Sequence, residues 1–122
     1  MAEDFTKLEV WQLSIDLTEK IYKITEKFSH SEKYNLVSQT RRAASSIGAN
    51  IAEGAGRYHY KDNIKFLYNA RGSLFETKHF VILAYKLDLI NRKDFDSFGE
   101  DIIKLNIKLN NFINSIYKKL KQ

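Results

Sequence analysis

The chain of 122 residues has no cysteine, no proline and only five glycines. Without cysteine there is neither disulfide nor thiolate chemistry, a composition that fits a reducing compartment. Without proline nothing breaks a helix from within, so long helices are open to the chain. No stretch approaches the roughly 18 consecutive apolar residues of a membrane-spanning helix. The N-terminal MAEDF is acidic and carries no apolar run, so no secretory signal is expected there. Strict alternation of apolar and polar residues, the mark of strands, is nowhere sustained. These absences lead to the expectation of a cytoplasmic, all-α protein without a membrane partner, forming one domain over residues 1–122.

Charge is present but unevenly placed. The net charge is +5, yet acids and bases balance at fifteen each through Asp101. Beyond it come Lys104, Lys108, Lys118, Lys119 and Lys121 with no acid among them. A surplus of this kind attracts polyanions; it also serves as a solvated face that keeps a protein soluble.

The apolar residues recur at helical spacing in four segments. From Leu8 to Phe28 the face is Val10, Ser14, Leu17, Ile21, Ile24 and Phe28, with Thr6 and Glu9 spaced as a capping box. Ser29 and Glu32 make a second box, so the chain is expected to turn near His30. The next helix carries Leu36, Thr40, Ala43, Ile47 and Asn50 on one edge, with Val37, Ala44 and Ile51 beside it. Gly54 and Gly56 are expected to end it. A third helix starts near Tyr60–Asp62 and follows Ile64, Leu67, Leu74, Val81 and Tyr85, with Tyr68, Phe75 and Ile82 alongside. Asn91 and Asp94 cap a fourth, whose face is Phe95, Phe98, Ile102, Leu105, Leu109, Phe112 and Ile116. Four helices joined by short turns predict an antiparallel up-down-up-down four-helix bundle.

The second helix is built oddly. In QTRRAASSIGANIAEGAGR, small residues cover nearly every side, and glycine costs about 1 kcal/mol against alanine in a helix. Small residues admit a close neighbour, which points to a helix contacted on two sides. That neighbour is either another subunit, with Ala44 and Ala49 at the contact, or the bulky partners of the same bundle. The polar residues Gln39, Arg42, Ser46, Asn50, Glu53 and Arg57 fall at steps of three or four and form one stripe, with Glu53 and Arg57 in the favourable i,i+4 order. In an interface such groups fix register and partner geometry, and arginine forks suit carboxylate or phosphate.

Other constellations carry less. Glu76 and His79 have the Glu-x-x-His spacing of di-iron bundles, but such a site needs two pairs and further glutamates, so no metal or cofactor is expected. EGAGR follows no strand and lacks the Lys-Ser/Thr of a phosphate loop. The free amides at the start of the third helix, with Arg57, His59 and Lys61, remain a place for a backbone phosphate. No serine is set in a histidine–carboxylate pattern, so no catalytic residue is assigned and an enzyme is not expected. Trp11 reads as an anchor of a core or an interface.

QTRRAASSIGANIAEG resembles the signature Q-x-R-R-A-x-x-S-I-x-x-N-I-A-E-G of the four helix bundle protein family, whose members are also called intervening-sequence proteins. Some are encoded in insertions within large-subunit ribosomal RNA genes. LEVWQLSIDL and ARGSLFETK extend the resemblance over the first three helices; the fourth matches only in pattern. The resemblance implies a four-helix protomer assembling as a homopentamer. It extends to the accessory protein of diversity-generating retroelements, a basic pentamer that binds nucleic acid and a reverse transcriptase, although no motif here places this chain in a retroelement. Arg41, Arg42, Asn50, Glu53 and Arg57 match the signature's polar positions, with Gly72, Ser73 and Glu76 on the third helix; the family offers no catalytic role for them.

Two functions follow as expectations. One is a homo-oligomer that binds RNA or DNA through Lys104, Lys108, Lys118, Lys119 and Lys121, with Arg41 a weaker candidate. The other is an interaction scaffold whose partner is another protein.

Overall fold

A computed structural model describes residues 4–122, apart from the side chains at 33 and 34. Four helices account for most of it: α1 (Glu9–Thr25), α2 (Ser38–Ala55), α3 (Tyr60–Lys86) and α4 (Arg92–Leu120). No strand occurs among the described residues. Each helix packs on its neighbours in sequence, and α1 closes the ring on α4. Partners pair in opposite directions. Thr18 meets Ala44 while Arg41 meets Tyr22, and Tyr68 meets Tyr117 while Arg71 meets Asn110. The bundle is therefore the antiparallel up-down-up-down one that the periodicity predicts.

The core follows the apolar rhythm closely in α4, where Phe98, Ile102, Leu105, Leu109 and Ile116 are all buried. Asn91 caps this helix as expected, its Oδ1 accepting from the Asp94 amide at 2.8 Å. The first expected cap fails. Asp4 takes the Thr6 amide and hydroxyl, at 3.1 and 2.6 Å, and caps a short 3-10 turn, Phe5–Lys7. Leu8, without a capping side chain, then opens α1. The second box also fails: Ser29 Oγ bonds Ser31 Oγ, and the Glu32 amide goes to the Ser29 carbonyl. The turn still falls there, passing through a 3-10 turn, His30–Glu32, and a π turn, Lys33–Val37, into α2. Helix α1 stops at Thr25, short of Phe28.

Two glycines of α2 are close-approach positions. A Cβ on Gly48 would lie 2.8 Å from Ser14 Oγ of α1, and one on Gly54 would lie 2.7 Å from Asn63 Oδ1 and 3.2 Å from the Asn63 carbonyl of α3. Gly54 therefore does not end the helix; it lies buried inside it, letting α3 approach. The stop comes at Gly56, in ordinary right-handed geometry (φ −81°). Helix α2 is contacted on two sides, as its composition predicts, and both neighbours belong to the same chain.

Helix α3 ends by a left-handed turn at Asp88 (φ 61°). The Leu89 amide reaches back to the Ala84 carbonyl at 2.9 Å and the Asp88 amide to Tyr85 at 3.0 Å, the paired bonds of a Schellman stop. Near the α1–α2 turn a void of about 10 Å³ remains among Ile21, Phe28, Phe80, Val81 and Phe98. The hydroxyls beside it, Thr25 and Thr40, donate to the Ile21 and Leu36 carbonyls, and the rest of its lining is apolar.

Candidate nucleic-acid interface

The turn between α2 and α3 and the last turn of α4 meet at one end of the bundle. There Tyr58, His59, Tyr60 and Lys61 face Lys119 and Leu120 across an open cleft of about 640 Å³. His59 occupies the N-cap of α3 in extended geometry without capping by its side chain, so first-turn amides face outward, with Asp62 the acid beside them. Free amides and a helix dipole favour an anion at such a position. Lys119 Nζ stands 5.9 Å from the centroid of the Tyr60 ring. Lys118 and Lys121 are exposed in the same terminal turn, with no ion pair to either among the described residues. Part of their work is local, since cations complement the carbonyl end of a helix.

The other basic candidates lie elsewhere. Arg41 belongs to the opposite end of the bundle and is engaged structurally. Its Nε donates to Thr25 Oγ1 at 2.9 Å, and its Nη2 to the Tyr22 carbonyl and to Glu26, each at 3.2 Å. Its guanidinium also lies over the Tyr22 ring. That fork closes the C-terminal end of α1, which gives Arg41 a structural role. Lys108 pairs with Glu9 at 3.4 Å. Lys104 is exposed, without an ion-pair partner among the described residues, roughly 21 Å along α4 from Lys118. The lysines of α4 thus divide into a terminal cluster and a separate mid-helix pair.

The stripe on α2 is real, but much of it is occupied within the chain. Gln39 Nε2 donates to Asn35, Ser46 Oγ to the Arg42 carbonyl, and Asn50 Nδ2 to the Ser46 carbonyl. Arg57 pairs with Glu53 at 2.6 Å and covers the Phe66 ring, so it does not line the cleft as the sequence suggested. Arg42 points out to solvent, and no partner for its guanidinium occurs among the described residues. Of the two alanines, Ala49 is exposed, whereas Ala44 has no exposed surface and packs wholly inside the protomer. Ala44 is therefore a core residue and not a subunit contact.

Several surface residues are not evident from the sequence pattern. Tyr68 and Phe75 follow the α3 rhythm but are exposed, because α3 turns its other sides to α2 and α4. Tyr68 and Tyr117 share a hydrogen bond of 2.5 Å between hydroxyls. Arg71 lies over the Tyr68 ring at 4.9 Å and donates to Asn110 Oδ1 at 2.9 Å. In the sequence the only signal is the interleaving of tyrosine with cation in RYHYKDNIKFLYNAR.

Trp11 packs against the core, edge-on to Phe5 at 5.3 Å. Glu76 and His79 are both exposed, and among the described residues no group of three or more metal-ligating side chains comes together. Nor, among them, is any helix long and apolar enough to cross a membrane.

No curated protein sequence matches the chain. Among solved structures it is similar to a protein of unknown function from the S23 ribosomal protein family of Bacteroides thetaiotaomicron. The identity is 25%, over 86% of this chain and 95% of that one, with a TM-score of 0.79. The bundle, its small-residue second helix and the family-model match over residues 6–111 agree: the chain belongs to the 23S rRNA-intervening sequence protein family.

Proposed function

We propose that the protein is a non-enzymatic homo-oligomer that binds RNA or DNA in the cytoplasm. The observation that carries the reading is the convergence of Lys61, Lys118, Lys119 and Lys121 with the uncapped start of α3 at one end of the bundle. Phosphates are the ligand such a surface suits, because lysine charges and free amides both favour anions and neither reads sequence. Binding then falls steeply as salt rises. The family is named for a sequence that intervenes in 23S rRNA, which makes structured RNA the first ligand to test.

The test is an anisotropy titration against labelled structured RNA, single-stranded DNA and duplex DNA at two salt concentrations. Replacing Lys118, Lys119 and Lys121 by glutamine should weaken binding of every ligand and lower the salt slope by about one for each phosphate no longer neutralised. An unchanged curve and slope would remove these lysines from the site.

Oligomerisation is supported by two outward features. Ser45 and Ala49 give α2 a smooth exposed face. Phe75 on α3 and Ile103 and Ile107 on α4 are large apolar residues left exposed on the protomer. The pentamer rests on the family resemblance, and light scattering measures the subunit number. The same apolar group favours the second reading, a scaffold for another protein. A pull-down from nuclease-treated lysate separates the two. One protein recovered in fixed ratio supports the scaffold, and loss of every partner supports nucleic acid.

A further inference from the structure

We propose that the strand bound at this end is single, and that its unpaired bases stack on tyrosines along the groove between α3 and α4. This rests on the nucleic-acid reading above and adds the class of ligand. Three observations carry it.

The first is exposure without a packing need. Tyr58, Tyr60 and Tyr68 are 85%, 45% and 39% exposed, while Ile64, Leu67, Leu74, Ile113 and Ile116 already fill the core beneath them. Each ring keeps part of its surface in solvent, although Arg71 lies over one face of Tyr68.

The second is the pairing of ring with cation. Lys119 stands by Tyr60 and Arg71 by Tyr68, so each ring has a positive charge beside it for the phosphate of a base stacked there. Arg71 is held by Asn110, and the Tyr68 ring by the Tyr117 hydroxyl, with the two rings 6.4 Å apart and tilted by 53°. These supports fix the platform before a ligand arrives. The Tyr117 hydrogen bond, and less so burial, holds the Tyr68 phenol above the ordinary tyrosine pKa.

The third is spacing and charge complementarity. Tyr60 and Tyr68 are eight residues apart on one helix, a rise of roughly 12 Å, which a short run of unstacked nucleotides spans. On the α4 side the cleft is lined by Lys119, with Lys118 and Lys121 exposed in the same terminal turn. Aromatic platforms in a cationic groove bind single strands with little sequence preference. A duplex keeps its base faces covered and can use only the cations.

The experiment titrates the full chain with a labelled oligothymidylate, the matching oligouridylate and a duplex of equal length. We expect either single strand to bind more tightly than the duplex. Tyr60→Ala and Tyr68→Ala should each weaken single-strand binding by roughly tenfold or more and leave duplex binding within about twofold. Tyr68→Phe keeps the ring and loses only the Tyr117 bond, so its loss of affinity should be well short of the alanine variant's, which guards against a loss caused by misfolding. Unchanged single-strand binding in the alanine variants overturns the inference while lysine dependence preserves the broader reading. An equal fall for single strand and duplex overturns it as well, as does a change of oligomer mass in Tyr68→Ala. If no ligand binds even at low salt, the nucleic-acid reading itself falls.

Discussion

Adjacent arginines can have opposite roles, and Arg41 and Arg42 do. A helix places neighbours about 100° apart, so when one reaches α1 the next faces water. Arg41 supplies donors to the open carbonyl end of α1 and to the buried Thr25 hydroxyl. Hydrogen bonds from a charged donor at a half-buried site are worth about 1–2 kcal/mol, reduced here by partial exposure. Arg41→Ala is therefore expected to lower stability by about that amount in chemical denaturation and to leave nucleic-acid affinity unchanged. Arg42→Ala should stay within about 0.5 kcal/mol of the parent. Equal effects from the two variants would mean that the α1 cap contributes nothing. Sequence alone does not separate this pair, because both positions match the family signature and only the placement of α1 decides between them.

At the scale of the helix, two turns of backbone lead to opposite expectations. Gly54→Ala puts a methyl group against the Asn63 backbone carbonyl, which has no rotamer through which to yield. The overpacking, about 1–3 kcal/mol, exceeds the roughly 1 kcal/mol of helix propensity gained, so the melting temperature should fall. Asp88→Gly should raise it, through a stability gain of up to about 1 kcal/mol, because glycine adopts the left-handed geometry at that position without steric cost. A lower melting temperature for Asp88→Gly would show that the aspartate side chain supports the turn in some further way. The helices themselves are legible in the sequence. Period, caps and turns locate α4 almost to the residue, because one face meets one core and Asn91 has no rival cap. The start of α1 is not legible in this way, since Asp4 competes for the groups that Thr6 and Glu9 are spaced to share. The composition of α2 announces close contact on two sides without naming the neighbour, for a Gly48 that faces Ser14 reads the same as one facing another subunit. Tyr68 and Phe75 share the rhythm of the core yet lie outside it, because a long helix packed on two partners keeps that rhythm on an outer flank as well.

For the whole molecule, Ala44 and Ala49 test different things although they lie on one helix. Ala44→Leu overpacks the protomer interior and should cost about 1–3 kcal/mol of stability. Ala49→Leu lies on an open surface and should leave the protomer's folding intact, but change the mass measured by light scattering if the outer face of α2 is a subunit contact. Wild-type mass for Ala49→Leu would move that contact to another face, with Phe75, Ile103 and Ile107 the next to vary. The candidate site is legible only in part: the lysines and the start of α3 are visible in the sequence, but their meeting at one end, and the tyrosines between them, need the fold. The other end of the bundle has its own character. The small apolar void there, beside the 3-10 and π turns that join α1 to α2, is space that unfolding would eliminate. Compression favours the state of smaller volume, so pressure gives the side chains around that void reason to rearrange. The methyl signals of Ile21 and Val81, followed by NMR under hydrostatic pressure, should shift as the space closes.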